Sequence, residues 1–215
     1  MGAEMAQHPR RFVSRAGEKL DAALEAFGID VGGAVCADLG ANVGGFTDCL
    51  LRRGSAKVYA VDTGYGELAW RLRTDDRVVV MERTNALYCR IPEPVDLVAV
   101  DVAWTPQERI LPAALRWLNV SGPRPPLGVI SLLKPHYELA KMEGKTPHAP
   151  LAAARADAVC LAVSRRLAEI GIHMRAAMRS VLPGKGGNRE YLLWVGGTNG
   201  PGNASDNNKQ AVDGG

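Results

Sequence analysis

The sequence predicts a doubly wound α/β sandwich of seven strands, one of them reversed. Continuous Val/Ile/Leu runs recur along the chain, helical patterns separate most of them, and the last two runs are joined by a link too short for a helix. The runs are "AVCADLG" (34–40), "KVYAVD" (57–62), "RVVVME" (77–82), "VDLVAVDV" (95–102) and "LGVISLLK" (127–134), followed by strands near 173–182 and 189–196. Strands that are apolar throughout, rather than alternating, belong to a parallel sheet buried on both faces. The crossovers are helical patterns at about 45–54, 66–73, 107–119 and 150–170. Ahead of them Ser14 offers an N-cap, Leu20, Leu24 and Phe27 keep helical spacing, and Gly28 is a stop signal. "PGKGGN" cannot make a crossover, so the last two strands pair antiparallel.

Composition sets the outer limits. The chain has 215 residues, 47% hydrophobic and 23% charged, ordinary values for one globular domain. No run reaches the roughly 18 apolar residues of a membrane span. "MGAEMAQHPRRF" lacks the apolar segment of a secretory signal. The four cysteines are scattered without a C-x-x-C pair, which predicts reduced thiols in the cytoplasm. Residues 1–10 are expected to be flexible and the Gly/Asn/Ser-rich 197–215 a disordered tail, leaving 11–196 as the folded domain.

The turn after the first strand, "DLGANVGGF", raises the functional question. In such sheets ligands lie beyond the carboxyl ends of the strands, where strand order reverses. A dinucleotide turn reads G-x-G-x-x-G so that a pyrophosphate can meet the helix N-terminus. Here position 42 is Asn, and the spacing suits a bulkier ligand without a pyrophosphate, such as S-adenosylmethionine. Asp62 ends the second strand, where a carboxylate can accept from both ribose hydroxyls, and Asn85 follows the third, within reach of an adenine edge. Two more apolar strands end in charges, Asp101 and Lys134. A charge in such a place is rarely buried unless paired. An ion pair closing the sheet would explain them; so would an acceptor site in which Lys134 takes a proton, helped by the nearby cation Lys19 and oriented by Glu190. The histidines at 8, 136, 148 and 173 show no ligand spacing, so no metal is expected.

The segments "RFVSRAGEKLDAAL", "DLGANVGGFTDCLLRRGSAKVYAVDTGYGELAWRLR", "VVVMERTNA", "ISLLKPHYE" and "GNREYLLW" together resemble the TlyA-type branch of the FtsJ-like RNA 2′-O-methyltransferases. That resemblance spans about residues 11–196. It implies a class I methyltransferase fold, S-adenosylmethionine as donor with S-adenosylhomocysteine as product, and a Lys-Asp-Lys-Glu catalytic set. The set falls on Lys19, Asp101, Lys134 and Glu190. The branch's cofactor positions fall on Gly44, Phe46, Asp62, Asn85 and Asp101, and Asp38, Gly40 and Gly45 of the same turn complete the candidates. The implied substrate is RNA, ribosomal RNA or a ribosomal subunit.

Net charge is only +3, but Arg165, Arg166, Arg175, Arg179, Lys185 and Arg189 face a single acid, Glu169, between residues 161 and 189. With Arg11 and Arg15 they are candidate RNA contacts if the two clusters meet in space. Members of the branch usually begin with an S4-type RNA-binding domain, and this sequence starts almost at the catalytic domain; either the sequence is trimmed, or RNA capture relies on the basic face and a separate RNA-binding partner or domain. "DVAW" stands for the usual "DVSF" and "KPHYE" for "KPQFE", making His136 a rim residue, and "LAKMEGKTPHAP" reads as a divergent substrate loop. The alternatives are a non-catalytic RNA-binding or assembly factor on the same fold, and a haemolysin-like protein, for which no membrane-inserting segment is evident.

Overall fold

The computed structural model describes residues 11–122, 125–144 and 150–196. Its strands are β1 (Val35–Leu39), β2 (Lys57–Val61), β3 (Val78–Met81), β4 (Leu97–Val100), β5 (Gly128–Leu133), β6 (Met174–Arg179) and β7 (Tyr191–Val195). They form one sheet in the order β3-β2-β1-β4-β5-β7-β6, with β7 alone running against the other six. The single reversed strand is the one "PGKGGN" requires. The flexible ends expected at 1–10 and 197–215 lie outside the described residues.

Helices cover both faces. Leu20, Leu24, Phe46 and Leu50, from α1 (Ala16–Ala26) and α2 (Gly45–Arg52), pack with Ile130 and Leu132 of the sheet, and Leu72 of the short α3 (Trp70–Arg73) joins them. On the other face Ile110 and Leu111 of α4 (Gln107–Leu115) and Val163 and Leu167 of α6 (Ala153–Glu169) pack on Val98, Val100 and Leu193. Two apolar layers are what the unbroken Val/Ile/Leu runs demand.

Two elements depart from the sequence reading. The helix expected at 66–73 contracts to Trp70–Arg73, because Gly66 takes a positive φ of 79° and Ala69, the N-cap, is extended (φ −54°, ψ 135°). A helix the sequence did not announce, α5 (Pro135–Glu143), follows Lys134 directly. Lys134-Pro135 looks like a strand end, yet Pro is well suited to the first helical position, and Gly144 closes the helix in the left-handed conformation. The first part of the expected substrate loop, Leu139–Glu143, is therefore helical; residues 145–149 of it are outside the described set.

Strand order turns at β1, which lies between β2 and β4, so a crevice opens beyond Leu39 and Val100. The segment leading into α1 is fixed by buried acids of its neighbours. Asp48 accepts the Val13 N–H (2.8 Å) and pairs with Arg52 (3.0 Å) and Arg71 (2.5 Å). Asp21 pairs with Arg11 (2.6 Å) and Arg53 (2.5 Å). This sets the orientation of α1 and with it Lys19.

Candidate active site

The crevice is a cleft of two lobes. One, about 190 Å³, is lined by Ser14, Asp38, Asn42, Gly45 and Lys134; the other, about 350 Å³, by Asp62, Asn85, Leu87, Trp104 and Ile110. Gly40, Asn42, Asp101 and Ala103 line both, so the lobes meet where β1 and β4 end. Gly40 (φ 93°) is required there: a Cβ would lie 2.5 Å from the Asp101 carbonyl oxygen. Asn42 solves the problem of the missing central glycine by itself adopting a left-handed φ of 48°, which Asn tolerates better than most residues. Its N–H donates to Asp62 (2.8 Å), whose other oxygen accepts from the Gly64 N–H (2.7 Å). The Asp62 carboxylate is thus held by backbone while keeping lone pairs for a diol. The Asn85 carboxamide oxygen accepts the Leu87 N–H (3.0 Å), which leaves its NH₂ as a donor toward an adenine ring nitrogen.

Asp38 is wholly buried under the smaller lobe. One carboxylate oxygen accepts both the N–H (2.8 Å) and the hydroxyl (2.7 Å) of Thr47; the other has no partner. Burial pushes its carboxyl up to about 7, with Thr47 opposing and Asp101 and Asp62 adding to the rise. A buried acceptor without a donor, open to a ligand cavity, fits a cationic group such as the ammonium of an amino acid. The larger lobe, with a backbone-held acid and a free amide, fits a nucleoside. The donor set therefore fits S-adenosylmethionine.

Beside the smaller lobe four charges alternate across the strand ends. Asp101 follows β4 and pairs with Lys134, which follows β5, at 2.5 Å; the contact is electrostatic, without hydrogen-bond alignment. Leu133 of β5 faces Tyr191 of β7, so the antiparallel register brings Glu190 alongside Lys134. Glu190 in turn is paired with Lys19 from α1, and both are nearly excluded from solvent. Lys19 thus serves Glu190 as its counter-ion. Gly184 of the "PGKGGN" turn lies against the Glu190 carboxylate, where any side chain would collide with it. All four charged candidates are in one row.

The other candidates divide. Gly45 and Phe46 line the smaller lobe, whereas Gly44 does not line the cleft. Gly44 (φ 97°) caps α2, and a Cβ there would collide with Leu72 and Leu68. We expect Gly44→Ala to cost about 1–3 kcal/mol through the strained φ and that collision, read as a lowered thermal midpoint. The second basic cluster is divided: Arg165 and Arg166 are on α6, which covers the side of the sheet opposite to α1 and the first cluster, whereas Arg175, Arg179, Lys185 and Arg189 belong to β6 and the turn into β7. Arg11, Arg166 and Arg189 are occupied by Asp21, Glu108 and Asp157, and Arg175 lies over the Trp194 ring (5.6 Å). Arg179, on the edge strand β6, is exposed; Arg15, Arg165 and Lys185 are exposed and unpaired among the described residues. Sequence reasoning missed Thr47, the partner of Asp38, and Trp104, an exposed indole between the larger lobe and Lys134. An exposed aromatic beside "VDLVAVDV" was the available signal for Trp104.

Among the described residues no group of His, Cys, Asp and Glu could hold a metal ion, and no helix is long and apolar enough to cross a membrane. The family model described as FtsJ-like methyltransferase matches residues 12–197. The chain belongs to the FtsJ-like methyltransferase family. Over 193 residues it is 45% identical to the 16S/23S rRNA (cytidine-2'-O)-methyltransferase TlyA of Mycobacterium tuberculosis, covering 86% of this chain and 69% of that protein. It is 40% identical over 132 residues to Hemolysin A of Brachyspira hyodysenteriae, covering 60% of this chain and 53% of the other. A solved structure described as a candidate hemolysin, from Streptococcus thermophilus, superposes with a TM-score of 0.78 at 33% identity, over 90% of this chain and 70% of that one. At 19% identity, an O-methyltransferase from Bacillus cereus shares the fold (TM-score 0.54; 87% and 83% of the two chains).

Proposed function

We propose that this FtsJ-like methyltransferase is a cytoplasmic S-adenosylmethionine-dependent ribosomal RNA 2′-O-ribose methyltransferase. The observation that carries the reading is the row Asp101–Lys134–Glu190–Lys19, whose first two members line the smaller lobe and whose last two are a buried pair behind them. It stands in a chain nearly half identical to a protein named for cytidine-2'-O methylation of 16S and 23S rRNA.

S-adenosylmethionine, when bound, supplies an electrophilic methyl on sulfonium. Asp38 would hold the ammonium, Asp62 the ribose hydroxyls and Asn85 the adenine, with Asp101 lining both lobes between them. Alignment of this kind corresponds to effective molarities of about 10⁵ M or more. The acceptor hydroxyl loses its proton as it attacks, and Lys134 in its neutral form is the candidate to receive it. Asp101 steers the Lys134 side chain from one side; Glu190, neutralised by Lys19, limits its other side. Trp104, 64% exposed at the rim, offers a face on which a base of the acceptor strand can stack.

The test is transfer of labelled methyl from S-adenosylmethionine to ribosomal RNA and to ribosomal subunits. Label should enter RNA and survive alkaline hydrolysis as a resistant dinucleotide, because a methylated 2′-oxygen cannot attack the neighbouring phosphate. Binding of cofactor and RNA without transfer would overturn the enzymatic reading in favour of an RNA-binding factor. For the RNA face, Arg15→Ala and Lys185→Ala flank the charge row and should each reduce the slope of log affinity against log salt by about one phosphate contact. The same measurement on Arg165→Ala, on the opposite face, shows how far the footprint extends.

A further inference from the structure

Three buried polar side chains beside the candidate site take no part in holding cofactor or acceptor: Ser131, Gln107 and Glu138, exposed by 0%, 2% and 4%. They converge on Gln107. The Ser131 hydroxyl donates to the Gln107 carboxamide oxygen (2.7 Å), the carboxamide NH₂ donates to the Leu132 carbonyl (3.4 Å), and the Gln107 N–H donates to Glu138 (2.9 Å). Ser131 precedes Lys134 on β5 and Glu138 follows it on α5, so the strand end carrying Lys134 is gripped from both sides by one residue. That residue opens α4 and is tied through residues 102–106 to Asp101.

A helix N-terminus needs an acceptor for its free N–H groups, and a Ser, Thr or Asp at the cap normally supplies it. Here the cap is Pro106, which has nothing to offer, and the acceptor comes from α5 instead. A local cap would satisfy α4 equally well; one from α5 also locks the Lys134 backbone to the end of the Asp101 loop. Glu138 is kept from behaving as an ordinary ionised acid. Burial pushes it up to about 7, Glu108 of α4 adding to the rise while the Gln107 N–H and Arg166 of α6, 3.8 Å away, oppose it. Its second oxygen has no hydrogen-bond partner.

We infer that Glu138 and Gln107 are positioning residues, a clasp that fixes Lys134 against Asp101 for methyl transfer. The inference rests on the proposed function for its catalytic meaning and on the Lys134 environment for its physical one, and the experiment reads both. Wild type, Glu138→Gln, Glu138→Ala and Gln107→Ala would be compared for methyl transfer to ribosomal RNA. Their Lys134 ammonium would also be titrated by NMR on protein carrying ¹³C-lysine, with Lys134→Arg to assign the resonance.

Glu138→Gln keeps an acceptor for the Gln107 N–H and should stay within about threefold of wild type, whereas the alanine variants should lose about 10- to 100-fold in kcat with cofactor KM within about twofold. They should also displace the Lys134 titration midpoint while thermal midpoints stay above the assay temperature. A purely structural cap would lower the thermal midpoint and leave both readouts alone, and that result overturns the clasp. If Glu138→Ala fails to fold, Gln107→Ala against Glu138→Gln carries the comparison. Should wild type transfer no methyl group, the functional reading fails on its own account, and the Lys134 titration still decides whether the clasp exists.

Discussion

Lys134→Ala should lower methyl transfer by about 10²–10⁴-fold, the range general-base catalysis commonly contributes, while cofactor affinity stays within a few-fold. Lys134 lines the lobe that would hold the methionine part. It is nevertheless a cation beside a cationic donor, so its removal does not cost the donor an electrostatic partner; it frees Asp101. Lys134→Arg sharpens the test. Arginine keeps the charge and can keep the pairing with Asp101, but it does not deprotonate in proteins. If Lys134 acts as a base, both variants fall together in single-turnover transfer. If it only pairs with Asp101 or orients the acceptor, arginine restores a large share of the rate. Calorimetric titration with S-adenosylmethionine checks the affinity, and lost binding with retained turnover would refute the assignment.

Much of this was readable in the chain, and for identifiable reasons. Parallel strands buried on both faces leave an unbroken apolar trace, so β1 to β5 stand out, and the charges that interrupt that trace, Asp101 and Lys134, mark the candidate site. The reversal of β7 follows from the brevity of "PGKGGN". What escaped depended on partners distant in sequence. Gln107 and Glu138 resemble any polar residues in the first turn of a helix until Ser131 and the free N–H of α4 are brought to them. Arg166 looks like a surface cation until Glu108 and Glu138 are folded against it. The role of α5 was hidden because Pro135 carries the same sign whether it ends a strand or begins a helix. Local pattern determines the elements; pairings across the sheet determine which charges remain free.

Asp38→Asn should stabilise the cofactor-free protein by about 1–3 kcal/mol near pH 8 and at the same time weaken S-adenosylmethionine binding by about 10- to 100-fold. The sign follows from the raised carboxyl. An acid whose folded-state value is pushed from 3.8 to about 7 favours its neutral form in the native protein, so its stability cost is absent below about pH 4, grows between the two values and is complete above 7. Asparagine removes that cost while its oxygen can still accept from Thr47, although its buried NH₂ would lack a partner, which limits the gain. With cofactor the balance inverts. The ammonium supplies the donor that the second Asp38 oxygen lacks, so binding favours the carboxylate and releases a proton below pH 7. Wild-type affinity should therefore rise with pH up to about 7 and level off, whereas the affinity of Asp38→Asn should be flat over that range. Thermal unfolding from pH 5 to 8.5 and calorimetry in buffers of different ionisation enthalpy measure the two halves. An Asp38→Asn protein that melts lower at pH 8, or that keeps wild-type affinity and proton release, would show that Asp38 is a structural acid supporting Thr47 and not the residue that receives the cofactor.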